Sequence, residues 1–273
     1  MHRRLSLSTR PGFQFAMLFI AFSACPACAI AQNACQNPLY LTFEAGNMEA
    51  APVVAAALKR QGVRATFFAA NERTTQGDGS LGNYWAPWWK ARAAEGHEFA
   101  SNTYDRVVWH GDLPGVDRRF RVQPSVGALA GREFTWDAAK YCAQITYAAE
   151  RLQDFTGKKT LPLFRAPGGK TSKRLLESAG ACGYAHVGWS ATGVLGDTLP
   201  SERFSNDVLL NKALRDVRSG DILLATLGTA GRKEPWASGV LEPLLVGLKA
   251  KGFCFQTLRE HPAYQAWIAA HGS

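Results

Sequence analysis

Residues 40–50, YLTFEAGNMEA, decide how the rest of this chain is read. Apolar and aromatic residues run into a single carboxylate, Glu44, followed by Gly46 and an alanine-rich segment. A short run of strand-forming residues stopped by glycine and followed by helix-compatible sequence predicts a strand leading into a helix. In α/β folds built this way, the strand C-termini and the loops after them form the functional face. Glu44 therefore stands where chemistry is expected, yet it stands alone. A catalytic metal would want three protein ligands and an open position.

Working outward, the first apolar run (39–43) is followed by six more, at 64–70, 97–101, 161–166, 184–189, 221–227 and 252–258. Between them lie helix-like stretches at 48–61, 84–95, 135–155, 171–179, 205–219 and 242–250. Repeated strand–helix alternation implies right-handed crossovers and a parallel sheet covered by helices. Seven strands predict an irregular (β/α)7 barrel, incompletely closed, with an open doubly wound sheet as the alternative. Residues 71–83 and 104–134 read as long loops, and loops of that length in a compact domain are usually functional.

The N-terminus reads as an export signal. Residues 1–14 are basic without an acid, residues 15–31 are apolar, and Ala29-Ile30-Ala31 offers a cleavage site. Its apolar core is short of the roughly eighteen residues that a membrane span needs. This predicts a signal peptide at 1–31, a single domain at 32–273, and a periplasmic or secreted protein with no transmembrane segment. The formal charge falls from +9 to +6 once Arg3, Arg4 and Arg10 leave. No dense basic run is interleaved with aromatics, so nucleic acid is not an expected partner. Cys35, Cys142, Cys182 and Cys254 remain, and their spacing does not choose among the possible pairings. An unpaired, buried thiol is compatible with the pattern.

Five strand-end motifs in order carry a family resemblance: LTFEAG (41–46), GHEFASNTYDR (96–106), FRAPGG (164–169), VGWS (187–190) and DILLATLG (221–228). Together they resemble the polysaccharide deacetylase family, the NodB-homology fold, similar to carbohydrate esterase family 4. The resemblance implies a metal-dependent hydrolase of the N-acetyl amide bond in amino-sugar polymers. It also implies one aspartate and two histidines on a divalent metal, a second aspartate as base and a later histidine as acid. Such a metal would polarise the carbonyl and lower the pKa of its water.

This chain departs from that set almost everywhere. The base position falls on Glu44, the metal ligands on Ala45, Asn102 and Arg106, and the acid on Thr226. Ala45 has no donor atom, and a guanidinium has no lone pair to give. The expectation is a pseudoenzyme-like protein without a cofactor that retains binding of an N-acetylated polysaccharide, a peptidoglycan-like glycan or an envelope partner. The alternatives are a weakly bound divalent metal such as zinc, and an active hydrolase using Glu44 in a rearranged site. Glu44 and Arg165 are the candidate catalytic residues, with Arg165 expected to pair with Glu44. Tyr104, Trp109, Gly168 and Trp189 are the candidate substrate-binding residues, the tryptophans by stacking on sugar rings. Trp85 and Trp89, at helical spacing, read as core. His97 falls about 13 Å before the end of its strand and reads as structural. His186 reads as packed, His110 as a loop residue with groove lining as the alternative, Asp105 as a partner for Arg106 or Arg165, and Asp197 as a solvated or capping aspartate with a contribution to the site as the alternative.

Overall fold

The computed structural model describes residues 2, 35–115, 117–229 and 232–272. The expected signal segment lies outside them apart from His2. From Cys35 onward the chain forms one unit.

All seven expected strands form, and all run parallel: β1 (Pro38–Glu44), β2 (Thr66–Ala69), β3 (Glu98–Ser101), β7 (Leu163–Phe164), β8 (Ala185–His186), β9 (Ile222–Thr226) and β10 (Cys254–Gln256). The order is β10-β1-β2-β3-β7-β8, with β9 also on β1. β1 is the hub. Its Tyr40 pairs with both Ile222 and Gln256, and its Thr42 with both Leu224 and Thr66, so β10 and β2 share one edge while β9 takes the other. Helices α1 (Ala51–Gln61), α2 (Ala86–Ala94), α3 (Ala138–Thr156), α4 (Lys173–Ala181), α5 (Asn206–Asp216) and α6 (Glu242–Ala250) match the expected stretches. A further helix, α7 (Pro262–His271), was not anticipated, although Pro262 at its first position is a start signal.

The sheet curls but stays open, short of a closed (β/α)7 barrel. β8 and β9 do not pair as strands. Only a bridge from Val194 to Leu224 and single hydrogen bonds, such as Ser190 N–H to the Ile222 carbonyl (3.1 Å), span the gap. The sequence there, Gly188-Trp189-Ser190-Ala191-Thr192-Gly193, offers no continuous strand-forming run. Gly193 approaches β9 so closely that a Cβ would lie 2.2 Å from the Ile222 carbonyl oxygen.

Both faces of the sheet are buried, which is why its strands read as near-continuous apolar runs. Leu39, Leu41 and Phe43 face outward onto Val54, Leu58, Leu244 and Leu248. Tyr40, Phe68, Ala100, Leu163 and Val187 fill the inside. Trp85 and Trp89 are buried in the outer layer, as their spacing predicts.

Two expectations need correction. Residues 104–134 are no loop: they contain β4 (Val107–Asp112) and β5 (Arg119–Pro124), which with β6 (Phe134–Asp137) make a three-stranded antiparallel sheet. The signal was the alternation in β5, where Phe120 and Val122 are buried between exposed Arg119 and Arg121. None of Cys35, Cys142, Cys182 and Cys254 is free either, since Cys35 bonds Cys254 and Cys142 bonds Cys182.

Candidate functional site

The C-terminal ends of β1, β2, β3, β7 and β9 surround a cleft of about 430 Å³. Glu44, the last residue of β1, reaches it from the strand end; its side chain is 8% exposed. Gly46 lets the chain turn away, with φ 55° and no room for a Cβ, which would sit 2.2 Å from the Gly228 carbonyl oxygen. Among the described residues Glu44 accepts no hydrogen bond. Its ion-pair partner is Arg106, at 3.6 Å.

Arg106 follows β3 on a tight turn. Thr103 and Arg106 both adopt left-handed backbone, with φ 61° and 48°. The turn is closed by the Val107 N–H on Thr103 Oγ1 (2.7 Å) and anchored by Ser125 Oγ on the Arg106 carbonyl (2.8 Å). This aims the guanidinium between Glu44 and Glu72, whose Oε1 is 3.2 Å from Nε. Burial pushes the Glu72 carboxyl up; Arg106 pulls it back, Glu44 adds to the rise, and the Gly46 backbone N–H opposes it. Asp105 joins neither arginine. It exchanges hydrogen bonds with Gln144 of α3, N–H to Oε1 at 2.7 Å and Nε2 to Oδ2 at 3.0 Å.

Asn102, fully buried, donates to the Arg165 carbonyl (2.9 Å), and its Oδ1 has no donor. Arg165 is also fully buried. It donates to Thr42 Oγ1 (3.0 Å) and to the Val187 and Gly188 carbonyls (3.2 and 3.1 Å), and lies 4.1 Å from the centroid of the Phe68 ring. Desolvation pulls its pKa down to about 10 against the pull of Glu44. The expected direct pairing with Glu44 is not made: Arg165 Nε and Nη2 go to these carbonyls and Thr42, its Nη1 reaches no acceptor among the described residues, and Arg106 pairs with Glu44.

On the far side, Asp197 is 7% exposed and accepts from Thr226 N–H (2.8 Å) and Thr226 Oγ1 (2.7 Å). Burial dominates these bonds and raises its pKa to about 6. Trp189 and Gly168 complete the wall. Gly169 packs beneath the indole, where a Cβ would meet Trp189 at 2.8 Å.

The cleft thus gathers Glu44, Arg106, Gly168, Trp189 and Thr226 from the sequence candidates, with Arg165 and Asn102 packed at the strand ends around it. Tyr104 and Trp109 lie elsewhere. Tyr104 accepts from Asn71 Nδ2 (3.1 Å) and packs its ring at a tilt against Tyr147 of α3, while Trp109 sits in β4 and donates to Asp112 (3.1 Å). His110 is exposed on β4. His97 is buried and accepts the Ala65 N–H (3.0 Å), and His186 lies in β8; desolvation lowers both to about 4. Sequence reasoning passed over Glu72 and gave Asp197 too little weight. Glu72 follows β2 as Glu44 ends β1, so the same strand-end rule would have found it. Asp197 is marked only by the packing of its loop against β9.

Residues 31–187 match the polysaccharide deacetylase family. The chain belongs to that family. It is similar to a chitooligosaccharide deacetylase of Azorhizobium caulinodans, 25% identical over 85% of this chain and 97% of that protein. Among solved structures, a peptidoglycan N-acetylglucosamine deacetylase superposes with TM-score 0.60 at 24% identity, covering 82% of this chain and 87% of the other. A CE4 family pseudoenzyme from Bacillus anthracis superposes with TM-score 0.59 at 18% identity, covering 82% and 65%; a mutant of that protein has restored enzymatic activity.

The divalent metal that the family implies does not fit the side chains of this deacetylase-family chain. Ala45 packs in the outer apolar layer, Asn102 spends its amide on Arg165, and the Arg106 guanidinium lies between two carboxylates. Among the described residues no group of three or more His, Cys, Asp or Glu side chains is gathered to hold a metal. Nor, among them, is any helix long and apolar enough to cross a membrane.

Proposed function

We propose that this chain is an exported, non-catalytic member of the polysaccharide deacetylase family that binds N-acetylated or related amino-sugar glycans in the cleft at its strand ends. The observation that carries the reading is Arg106. A permanent cation paired with Glu44 and Glu72 stands where the family's motif would put a metal-binding imidazole, and a guanidinium has no lone pair to give a metal. The existence of a pseudoenzyme on the same fold, with a mutant of restored activity, supports a loss confined to a few side chains. The relatives that act on chitooligosaccharide and on peptidoglycan N-acetylglucosamine support the glycan class. The basic, then apolar, N-terminus supports export. Metal analysis of the purified mature protein tests the reading. Stoichiometric zinc, cobalt or nickel, removed by chelator together with amidase activity, would overturn it.

One observation favours a second reading, metal-free hydrolysis. Asp197, raised to about 6, lines the same cleft as Glu44, and a carboxyl that titrates near neutral pH suits acid–base work. Glu44→Gln should then abolish turnover of an N-acetylglucosamine oligomer. Wild-type protein with no turnover, or turnover kept in the variant, removes this reading.

A further inference from the structure

Glu44 is a carboxylate more than nine-tenths buried at the cleft wall, and it accepts no hydrogen bond among the described residues. A buried carboxylate ordinarily collects donors to offset its lost hydration. Arg106, at 3.6 Å, is outside hydrogen-bonding distance; Arg165 Nε and Nη2 go to Thr42, Val187 and Gly188, and its Nη1 makes no hydrogen bond to Glu44 or to any other acceptor among the described residues. Among the described residues no donor reaches the side chain, whose oxygens open onto a cleft large enough for a sugar.

The charges around that cleft say which donor suits it. Glu44 on β1, Glu72 after β2 and Asp197 after β8 are the carboxylates; Arg106 after β3 and Arg165 after β7 are the cations. Above the Asp197 pKa of about 6, with all ionised, the carboxylates outnumber the cations by one. Arg232, at the neighbouring rim, is taken by the Leu199 and Phe204 carbonyls, Asn206 and Glu234. The hydroxyls of Thr226 and Thr229 already donate to Asp197. An acetamide brings one N–H and a carbonyl that needs a donor of its own. A primary ammonium brings three donors and the missing positive charge, in bonds about twice as strong as neutral ones.

We propose that the cleft selects glycans carrying a free amino group, de-N-acetylated hexosamines, over their N-acetylated forms, with Glu44 accepting from the ammonium and Trp189 lying against the sugar ring. The inference rests on the glycan-binding reading above and narrows its ligand class.

Calorimetric titration of the mature protein with a glucosamine tetramer and with an N-acetylglucosamine tetramer tests both. It is run at about pH 7, above the Asp197 pKa, where an amino-sugar amine is still largely protonated. The glucosamine tetramer should bind at least about tenfold tighter. Glu44→Gln, nearly isosteric and checked for an unchanged thermal transition, should bring the two affinities within about twofold. Equal or tighter binding of the N-acetylated tetramer overturns the amine preference and leaves the glycan reading standing. Binding of neither tetramer overturns the glycan reading itself. A preference that survives in Glu44→Gln overturns the role of Glu44.

Discussion

On the β7–β9 side of the cleft, Arg165 and Asp197 are fastened by hydrogen bonds of 2.7–3.2 Å to Thr42, Val187, Gly188 and Thr226. On the β1–β3 side, Glu44 and Arg106 meet at 3.6 Å, Glu44 accepts no hydrogen bond, and Asn102 Oδ1 has no donor. The first wall serves the fold, since its side chains tie separate strands together. The second is looser: among the described residues Glu44 and Arg106 make no side-chain hydrogen bond between strands, and Asn102 Nδ2 alone of the three joins the end of β3 to the end of β7. Side chains of that kind can be exchanged without unfolding the protein, which explains how the scaffold persists while the expected ligand set does not.

The largest effect comes from rebuilding the weaker wall. Ala45→Asp, Asn102→His and Arg106→His together should give micromolar or tighter zinc binding, a binding free energy of about 8 kcal/mol, by supplying a three-ligand set. Calorimetric zinc titration of the wild type, of the Asn102→His/Arg106→His pair and of the triple variant reads this. Equal affinity in all three would show that these positions do not converge on one ion. A triple variant no better than the pair would show that residue 45 keeps its side chain in the apolar layer.

Breaking the stronger wall should cost stability. Arg165→Met strands the Val187 and Gly188 carbonyls and is expected to lose about 3–5 kcal/mol in urea unfolding. Arg106→Met, with a side chain 30% exposed, should lose about 1 kcal/mol. Similar losses at the two sites would erase the contrast between the walls.

Asp197 sharpens the comparison through pH. Its folded pKa, about 6, lies above the ordinary 3.8, so the folded state holds its proton more tightly. Its contribution is therefore full below about pH 3.8, falls as pH rises through about 6, and stays low above that. Asp197→Asn removes this titration while keeping an acceptor for Thr226. Relative to wild type it should gain up to about 3 kcal/mol between pH 4 and 7. His97 and His186, lowered to about 4, act oppositely: their stability is present above pH 6.5 and lost as pH falls toward 4. Acid loss should consequently be steeper in the variant than in the wild type. Parallel pH profiles would mean that Asp197 is not desolvated.

The smallest expected effect separates the aromatics. Trp189→Ala should weaken binding of an amino-sugar tetramer by about tenfold, through lost stacking and burial. Tyr104→Phe, on the far side of its turn against Tyr147, should leave binding unchanged. The reverse pattern would move the ligand out of this cleft.

Local sequence determined the parallel strands, six of the helices, the buried Trp85 and Trp89, and Glu44 at a strand end. Each of these follows from periodicity or from a stop signal within a few residues. The family motifs likewise marked Ala45, Asn102 and Arg106 as unfit for a metal. Only the tertiary structure decided what those residues do instead. Arg106 finds Glu72 across two loops, and Asp197 finds Thr226 on the next strand of the curled sheet. Arg165 turns from Glu44 to carbonyls that its own strand does not contain. Partners so far apart in sequence are chosen by which donors and acceptors burial leaves unsatisfied, a quantity that exists only once the strands are packed.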